Sequence, residues 1–113
     1  MQVLLVEDHA DTRALLGTLL NRCGCQKVTA KNIRDARARL QEMQFQVLIS
    51  DLNLPDGDGI DLVREAKRTH QIKAIAITGR SSDEERDAGL AAGFDSYLTK
   101  PIDFKQLRQA LKS

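Results

Sequence analysis

The sequence is poor in aromatic residues and carries almost no excess charge of either sign. Three Phe, one Tyr and no Trp mean that the hydrophobic core must consist mainly of Leu, Ile, Val and Ala. Seventeen basic and sixteen acidic residues give a net charge of +1, so no broad field favours nucleic acid or an anionic membrane as a partner. No apolar run approaches the roughly 20 residues of a membrane span, and no signal-peptide arrangement precedes the first apolar segment. Any chemistry must therefore be local.

Cysteine is also scarce. Cys23 and Cys25 lie too near each other in the sequence for an ordinary disulfide, and no further Cys or clustered His completes a metal site with them. We interpret them as two free thiols near a helix end, and free thiols are typical of proteins in a reducing compartment. We therefore predict a cytoplasmic location.

Short apolar runs alternate with amphipathic stretches along the 113 residues, which indicates repeated strand–helix units and a parallel sheet. The predicted strands cover 3–6, 26–29, 45–50, 74–78 and 96–99. Parallel strands joined by single helices require right-handed crossovers, which favours a doubly wound sheet. An eight-stranded barrel is excluded because it needs about twice this length. We predict one α/β domain over 1–113, a (βα)5 fold with helices on both faces of a five-stranded parallel sheet in the flavodoxin-like order 2-1-3-4-5.

Capping residues and glycines set the predicted helix ends. The first helix begins at Asp8 or Asp11, carries an apolar stripe that includes Leu15 and Leu16, and ends at Gly24. Later N-caps are assigned to Asn32 for the second helix, Asp56 and Asp58 for the third, Ser82 for the fourth and Asp103 for the fifth. The segment 52–59 is rich in Pro, Gly and Asp and is predicted to be a loop.

Polar or ionisable residues close four of the five predicted strands. They are Glu7–Asp8, Asp51, Thr78 and Lys100. Ligands of an open parallel sheet bind beyond the carboxyl ends of its strands, and in the order 2-1-3-4-5 the first and third strands are neighbours. Three carboxylates then crowd one pocket, where a cation relieves their repulsion. Carboxylates, a backbone carbonyl and waters suit Mg²⁺ better than Ca²⁺, and the Lys100 ammonium with the Thr78 hydroxyl completes a site for a phosphoryl group at a carboxylate oxygen.

Five short motifs occur in a fixed order along the chain. They are Glu7–Asp8 after an apolar strand, the loop 51–59, Thr78–Gly79, Tyr97 and Lys100–Pro101. In this combination the chain resembles a response-regulator receiver domain of two-component phosphorelay signalling, from about Val3 to Lys112. Position 79 carries Gly where receiver domains usually have Ala. This glycine and the sequence of the loop 51–59 are similar to those of receivers in hybrid sensor histidine kinases.

The resemblance implies that Asp51 is the phosphoacceptor, which attacks a phosphohistidine of a partner or a small phosphodonor to form an aspartyl phosphate. Asp8 would bind Mg²⁺ directly and Glu7 mostly through water. Asp51 and the backbone carbonyl of Asn53 would complete the protein ligands. Lys100, in a cis Lys100–Pro101 unit, would pair with the phosphoryl oxygens.

The resemblance also implies a conformational switch. Thr78 would move to hydrogen-bond the phosphoryl oxygens, and Tyr97 would turn inward after it. This movement would reshape the face made by the fourth helix, the fifth strand and the fifth helix. Arg80, at the mouth of the pocket, is predicted to influence dephosphorylation.

The partners implied by the resemblance are a sensor histidine kinase or a histidine phosphotransfer protein, with no nucleic acid bound by this domain and no membrane. The module would be a monomer or a weak dimer that forms on phosphorylation. It would catalyse only the phosphorylation and dephosphorylation of its own Asp51, and would not be a metabolic enzyme. Because the sequence ends with the fifth helix, we expect a single receiver domain without an output domain, either free-standing or taken from a longer protein.

Two other functions stay open at this point, one of them on the same fold. A Mg²⁺-dependent phosphatase with an aspartyl nucleophile, similar to haloacid-dehalogenase-like enzymes, would place an Asp two residues after the nucleophile, where this chain has Asn53. A flavodoxin-like cofactor-binding module would place a phosphate-cradling loop after the first strand, where Glu7 and Asp8 repel a phosphate unless a cation intervenes. Sustained hydrolysis of a phosphate ester, or a copurifying yellow flavin, would favour these alternatives.

Overall fold

The computed structural model describes residues 1–79 and 82–112. The strands are β1 (Gln2–Val6), β2 (Gln26–Ala30), β3 (Val47–Asp51), β4 (Asn53–Leu54), β5 (Gly57–Asp58), β6 (Lys73–Thr78) and β7 (Ser96–Thr99). The helices are α1 (Ala10–Arg22), α2 (Ile33–Glu42), α3 (Gly59–Thr69), α4 (Asp83–Ala92) and α5 (Phe104–Lys112). Among the described residues, no helix combines the length and the apolar character needed to cross a bilayer.

Five parallel strands form one sheet in the order β2-β1-β3-β6-β7. Because the hairpin β4–β5 lies outside this sheet, β6 and β7 are its fourth and fifth strands, and the predicted order 2-1-3-4-5 is confirmed. The register pairs Val6 with Ser50 and Asp51 with Ile77, so the carboxyl ends of β1, β3 and β6 lie side by side. The strand order reverses between β1 and β3, which is where sheets of this kind bind ligands.

Two aliphatic cores cover the two faces of the sheet, as expected from strands whose side chains alternate between faces. On one face, Leu4 and Leu48 pack with residues of α2 and α3. On the other face, Leu5, Ile49 and Ile75 pack with residues of α1 and α5. Burying one such side chain stabilises the fold by about 1.5 to 3 kcal/mol, so the two cores hold the central strands in a fixed register.

The first helix differs from its prediction in two respects. His9, instead of Asp8 or Asp11, occupies the N-cap position, because Asp8 is still part of the loop that leaves β1. Leu15 was predicted to face the core but is 52% exposed, whereas Leu16 is buried at 1%. Only one stripe of α1 contacts the sheet, and Leu15 lies beyond its edge. The predicted end is confirmed by the left-handed backbone of Gly24, at φ +77°.

Most of the predicted helix caps are confirmed by hydrogen bonds to backbone N–H groups. The capping side chains are those of Asn32 on Asp35, Asp58 on Ile60, Ser82 on Glu85 and Asp103 on Gln106. Each satisfies a donor that the first helical turn leaves unpaired. These caps fix where the helices begin, and so fix the loops between them.

Asp56 caps a different helix from the predicted one. Its two carboxylate oxygens accept from the N–H groups of Ile33 at 2.8 Å and Arg34 at 3.0 Å, which belong to α2 rather than α3. The segment 52–59, predicted to be a loop throughout, contains the antiparallel hairpin β4–β5. The hairpin turns Asp56 back towards the start of α2 and so ties the two loops together.

Candidate functional site

The loop that follows β1 carries the acidic pair Glu7 and Asp8. Glu7 is fully buried, and Asp8 keeps 27% of its side chain exposed. Arg13 of α1 fixes the loop backbone, since its guanidinium donates to the carbonyl oxygens of Glu7 at 2.9 Å and Asp8 at 3.4 Å. His9 is largely exposed, yet its Nδ1 lies 3.1 Å from Oε1 of Glu7. The loop therefore places two carboxylates at the carboxyl end of the sheet.

Asp51 and Lys100 stand at the ends of β3 and β7. The Nζ atom of Lys100 lies 2.8 Å from Oδ2 of Asp51 and 3.2 Å from Oε2 of Glu7. The backbone N–H of Lys100 donates to the carbonyl of Thr78 at 2.8 Å, which anchors the lysine at this edge of the sheet. The Asp51 side chain retains 8% exposure, so it lies deep in the site while still reaching solvent.

The acidic neighbours of Lys100 control its ionisation. Burial by itself would lower the pKa of Lys100, but hydrogen bonds and charge from Asp51, and then from Glu7, outweigh burial and raise that pKa above its ordinary value. Lys100 is therefore held as an ammonium ion at neutral pH. It supplies positive charge directly beside two carboxylates.

The centre nevertheless carries more negative charge than one lysine neutralises. Glu7, Asp8, His9 and Asp51 each offer a ligand atom, and these atoms lie within 4.8 Å of one another. Oε2 of Glu7 and Oδ1 of Asp8 are buried and accept no hydrogen bond from the described residues, although Oε2 is within ion-pair distance of Lys100 and Oδ1 lies 3.2 Å from Nδ1 of His9. Burying a carboxylate oxygen without a donor is costly, and oxygen sets of this kind favour hard divalent cations. The residues present therefore fit Mg²⁺.

The turn after β3 fixes the carboxylate of Asp51. The N–H of Asn53 donates to Oδ1 of Asp51 at 3.0 Å, and the Ser50 hydroxyl donates to the Asp51 carbonyl at 2.8 Å. The backbone of Asp51 passes close to Gly59, where a side chain would not fit. A Cβ atom at position 59 would lie 2.3 Å from the carbonyl oxygen of Asp51. Binding of a metal by the Asn53 carbonyl stays a prediction.

Thr78 closes β6 next to Asp51. It is buried, follows Ile77, the strand partner of Asp51, and pairs with Thr99 of β7. Its hydrogen bond to a phosphoryl group stays a prediction. The Lys100–Pro101 peptide is cis, as predicted, and Arg80 lies outside the described residues.

Tyr97 contacts helix α4 instead of the acidic centre. The side chain is half-buried, and its hydroxyl donates to the carbonyl of Glu85 at 3.3 Å. Burial raises the pKa of Tyr97. A switch through this residue would therefore act on α4, at a distance from the carboxylates.

Two residues that shape the site were not identified from the sequence. Arg13 holds the carbonyl oxygens of the acidic loop, and Gly59 permits the close approach of α3 to Asp51. Arg13 could have been identified from the sequence as a basic residue in the first turn of the helix that follows the acidic pair. For Gly59 the signal is a glycine at the start of a helix that already has Asp58 as its cap.

The fold and the site together define a doubly wound α/β domain with a carboxylate–lysine centre at the point where the strand order reverses. Residues 3–112 match the family model described as response regulator receiver domain. The chain belongs to this family, which serves two-component signalling, and the predicted resemblance is confirmed. The family assignment favours the receiver over the phosphatase and over the flavodoxin-like module.

Individual relatives agree with this assignment. The chain is 39% identical over 106 residues to an uncharacterized 14.6 kDa protein of Leptolyngbya boryana, covering 91% of this chain and 81% of that protein. It is 33% identical over 110 residues to the KDP operon transcriptional regulatory protein KdpE of Escherichia coli, covering 97% of this chain but 49% of KdpE. The structure of chemotaxis protein CheY4 of Vibrio cholerae matches with a TM-score of 0.92 and 30% identity, over 98% of this chain and 95% of that one.

Proposed function

We propose that this receiver domain accepts a phosphoryl group on Asp51 from a phosphohistidine partner, with Mg²⁺, and transmits the change to the face made by α4, β7 and α5. The observation that carries the proposal is the pairing of the Asp51 carboxylate with Lys100 at 2.8 Å, beside Oε2 of Glu7 and Oδ1 of Asp8, two buried oxygens that accept no hydrogen bond from the described residues. A carboxylate held next to a cation, at the carboxyl end of the sheet, suits nucleophilic attack on phosphorus.

Asp51 is the nucleophile. One of its carboxylate oxygens attacks the phosphorus atom, the bond from phosphorus to the histidine nitrogen of the partner breaks, and that nitrogen takes up a proton from solvent. Hydrolysis reverses the modification when water attacks the same phosphorus and releases inorganic phosphate. The domain catalyses these steps on its own Asp51 only.

Asp8, Asp51 and the backbone carbonyl of Asn53 would hold the Mg²⁺ ion, and Glu7 would reach it mostly through water. When bound, the ion supplies positive charge to the oxygens of the transferring phosphoryl group. Lys100, whose ammonium lies 2.8 Å from Oδ2 of Asp51, would pair with the same oxygens.

Thr78 and Tyr97 carry the signal away from the site. The Thr78 hydroxyl hydrogen-bonds a phosphoryl oxygen, and Tyr97 turns inward into the space that Thr78 leaves. Such a two-state change from mostly inactive to mostly active needs about 5.5 kcal/mol of differential interaction, much of which Thr78 and Lys100 would have to supply through charged hydrogen bonds.

The partner that donates the phosphoryl group is a sensor histidine kinase or a histidine phosphotransfer protein, and the chain acts as a single receiver domain, either free-standing or as part of a hybrid sensor kinase. This domain binds neither nucleic acid nor membrane, and is a monomer or a weak dimer that forms on phosphorylation.

The free thiols of Cys23 and Cys25 support a cytoplasmic location. The chain spans about half the length or less of several curated relatives.

Beryllofluoride with Mg²⁺ tests the proposal, because it mimics a phosphoryl group on a carboxylate. Amide spectra of the wild type should shift at residues of β6, α4 and β7, and Asp51→Asn should abolish the shift. Asp61→Asn, on the exposed surface of α3, is the matched control and should respond like the wild type. An unchanged wild-type spectrum, or an equal response from Asp51→Asn, would contradict the assignment of Asp51.

A further inference from the structure

Helix α4 is held to the domain by few buried groups. Every residue of α4 lies in the described part of the chain, and among them only Gly89 is buried. Leu90, its largest apolar residue, is exposed. The helix therefore contributes no large side chain to either core. Ala92 packs against one core and α3 contacts the helix, so the group that packs against Gly89 is one of the contacts that position α4.

The group that packs against Gly89 is Tyr97 of β7. Its hydroxyl donates to the Glu85 carbonyl at 3.3 Å, and the guanidinium of Arg86 lies 5.7 Å from the centre of its ring. Phe94 meets the same ring edge-on, with centroids 5.9 Å apart and planes at 75°, a favourable aromatic geometry. Glu85, Arg86, Gly89 and Phe94 form the Tyr97 seat.

Gly89 is the part of this seat that a side chain cannot replace. A Cβ atom at position 89 would lie 1.6 Å from the Tyr97 hydroxyl oxygen and 2.8 Å from the adjacent ring carbon Cζ. Neither separation is physically possible, so the ring would have to leave its seat or α4 would have to move away. Ala is a better helix former than Gly, and the glycine is therefore explained by the space it leaves for Tyr97 rather than by helix stability.

We propose that Gly89 is a positioning residue for the switch, which holds Tyr97 against α4 so that the ring and the helix move together. Its role in signalling rests on the proposed function of Asp51, whereas the seat itself is a property of the fold. A residue with a Cβ at position 89 would uncouple the two by displacing the ring before any phosphoryl group arrives.

Tyrosine fluorescence tests the seat directly, because Tyr97 is the single Tyr of a chain without Trp. Gly89→Ala should increase quenching by acrylamide towards that of a fully exposed tyrosine. Gly17→Ala in α1 is the matched control, since its Cβ meets only the flexible end of Lys27, at 2.9 Å from Nζ, and it should leave quenching unchanged. Equal quenching of wild type and Gly89→Ala would overturn the proposal.

A double-mutant cycle in urea separates the seat from a general loss of folding. Gly89→Ala should lower the unfolding midpoint in the wild type but raise it in a Tyr97→Ala background, where the better helix former meets no ring. The coupling should reach about ten-fold in the folding equilibrium constant, as contacting residues can give. A rise of the midpoint in both backgrounds, or a fall in both, would overturn the proposal.

Beryllofluoride with Mg²⁺ then distinguishes this inference from the proposed function. The wild type should change its tyrosine fluorescence, while Gly89→Ala, with the ring already displaced, should show a smaller change. A response of Gly89→Ala equal to that of the wild type would contradict the role of Gly89 alone. No response in the wild type would contradict the function of Asp51, and the quenching and urea experiments would still decide whether the seat exists.

Discussion

The ammonium nitrogen of Lys100 lies 2.8 Å from Oδ2 of Asp51 and 3.2 Å from Oε2 of Glu7. The three side chains come from the ends of β7, β3 and β1, which the parallel sheet brings to one edge. Because both carboxylates are buried, their repulsion is relieved mainly by this lysine and by any cation that joins them. The acidic centre therefore links the stability of the domain to its chemistry.

Replacing Lys100 by Met should lower the free energy of unfolding without Mg²⁺ by about 1.5 to 3 kcal/mol at pH 7, the range for hydrogen bonds to charged groups. Since the pKa of Lys100 is raised in the folded state, its contribution is present below the pKa of the unfolded chain and is lost as pH rises through the folded value. Urea midpoints of wild type and Lys100→Met, measured from pH 7 to alkaline pH, should therefore converge above the ordinary lysine pKa of 10.5. A gap that stays constant would assign the effect to packing instead of charge.

Mg²⁺ should stabilise the wild type, because an ion that binds only the folded state adds about 1.4 kcal/mol at ten times its dissociation constant. Asp8→Asn removes the charge of a carboxylate that has one buried oxygen without a hydrogen bond, and should abolish most of this gain. Thermal unfolding with increasing Mg²⁺ measures the difference. Asp11→Asn, an exposed acid in the first turn of α1, serves as the control and should behave like the wild type. If Asp8→Asn retains the full gain, the ion binds elsewhere.

Asp56→Ala should destabilise the domain by about 0.5 to 2 kcal/mol, the usual loss for a helix N-cap, because both of its oxygens accept from the start of α2. Those backbone hydrogen bonds lower the pKa of Asp56, so its contribution is present above the ordinary value of 3.8 and is lost as pH falls through the folded value. Urea midpoints at pH 7 and in acid should show this convergence. Asp61 is an exposed acid in the first turn of α3, and Asp61→Ala should lower the free energy of unfolding at pH 7 by less than Asp56→Ala does.

The strands and most helix ends could be predicted because their signals are local. Apolar runs mark strands buried on both faces, and a capping side chain such as Asn32 or Asp103 acts on N–H groups three residues away. The hairpin β4–β5 could not be predicted in this way, because each of its strands has two residues. Asp56 was assigned to the wrong helix because its partners lie more than twenty residues earlier in the chain.

The candidate site could be predicted as far as the sheet topology determines it. Parallel strands bring their ends together, so Glu7, Asp51 and Lys100 were expected to be neighbours and are. Hydrogen bonds from Arg13 to the acidic loop and the packing of Tyr97 on Gly89 depend on side-chain directions and helix positions. Those are set by tertiary packing and leave no periodic signal in the sequence.

Leu15 and Leu16 provide a matched test of the packing of α1, where the periodicity predicted both residues inside. Leu16 is 1% exposed and belongs to the core shared with α5, so Leu16→Ala should lower the free energy of unfolding by about 2 to 5 kcal/mol. Leu15 is 52% exposed, and Leu15→Ala should change it by less than about 0.5 kcal/mol. Both substitutions make the same chemical change in one helix, so differences in helix propensity cancel. Urea unfolding of the two variants gives the comparison, and equal losses would mean that α1 is rotated relative to the sheet.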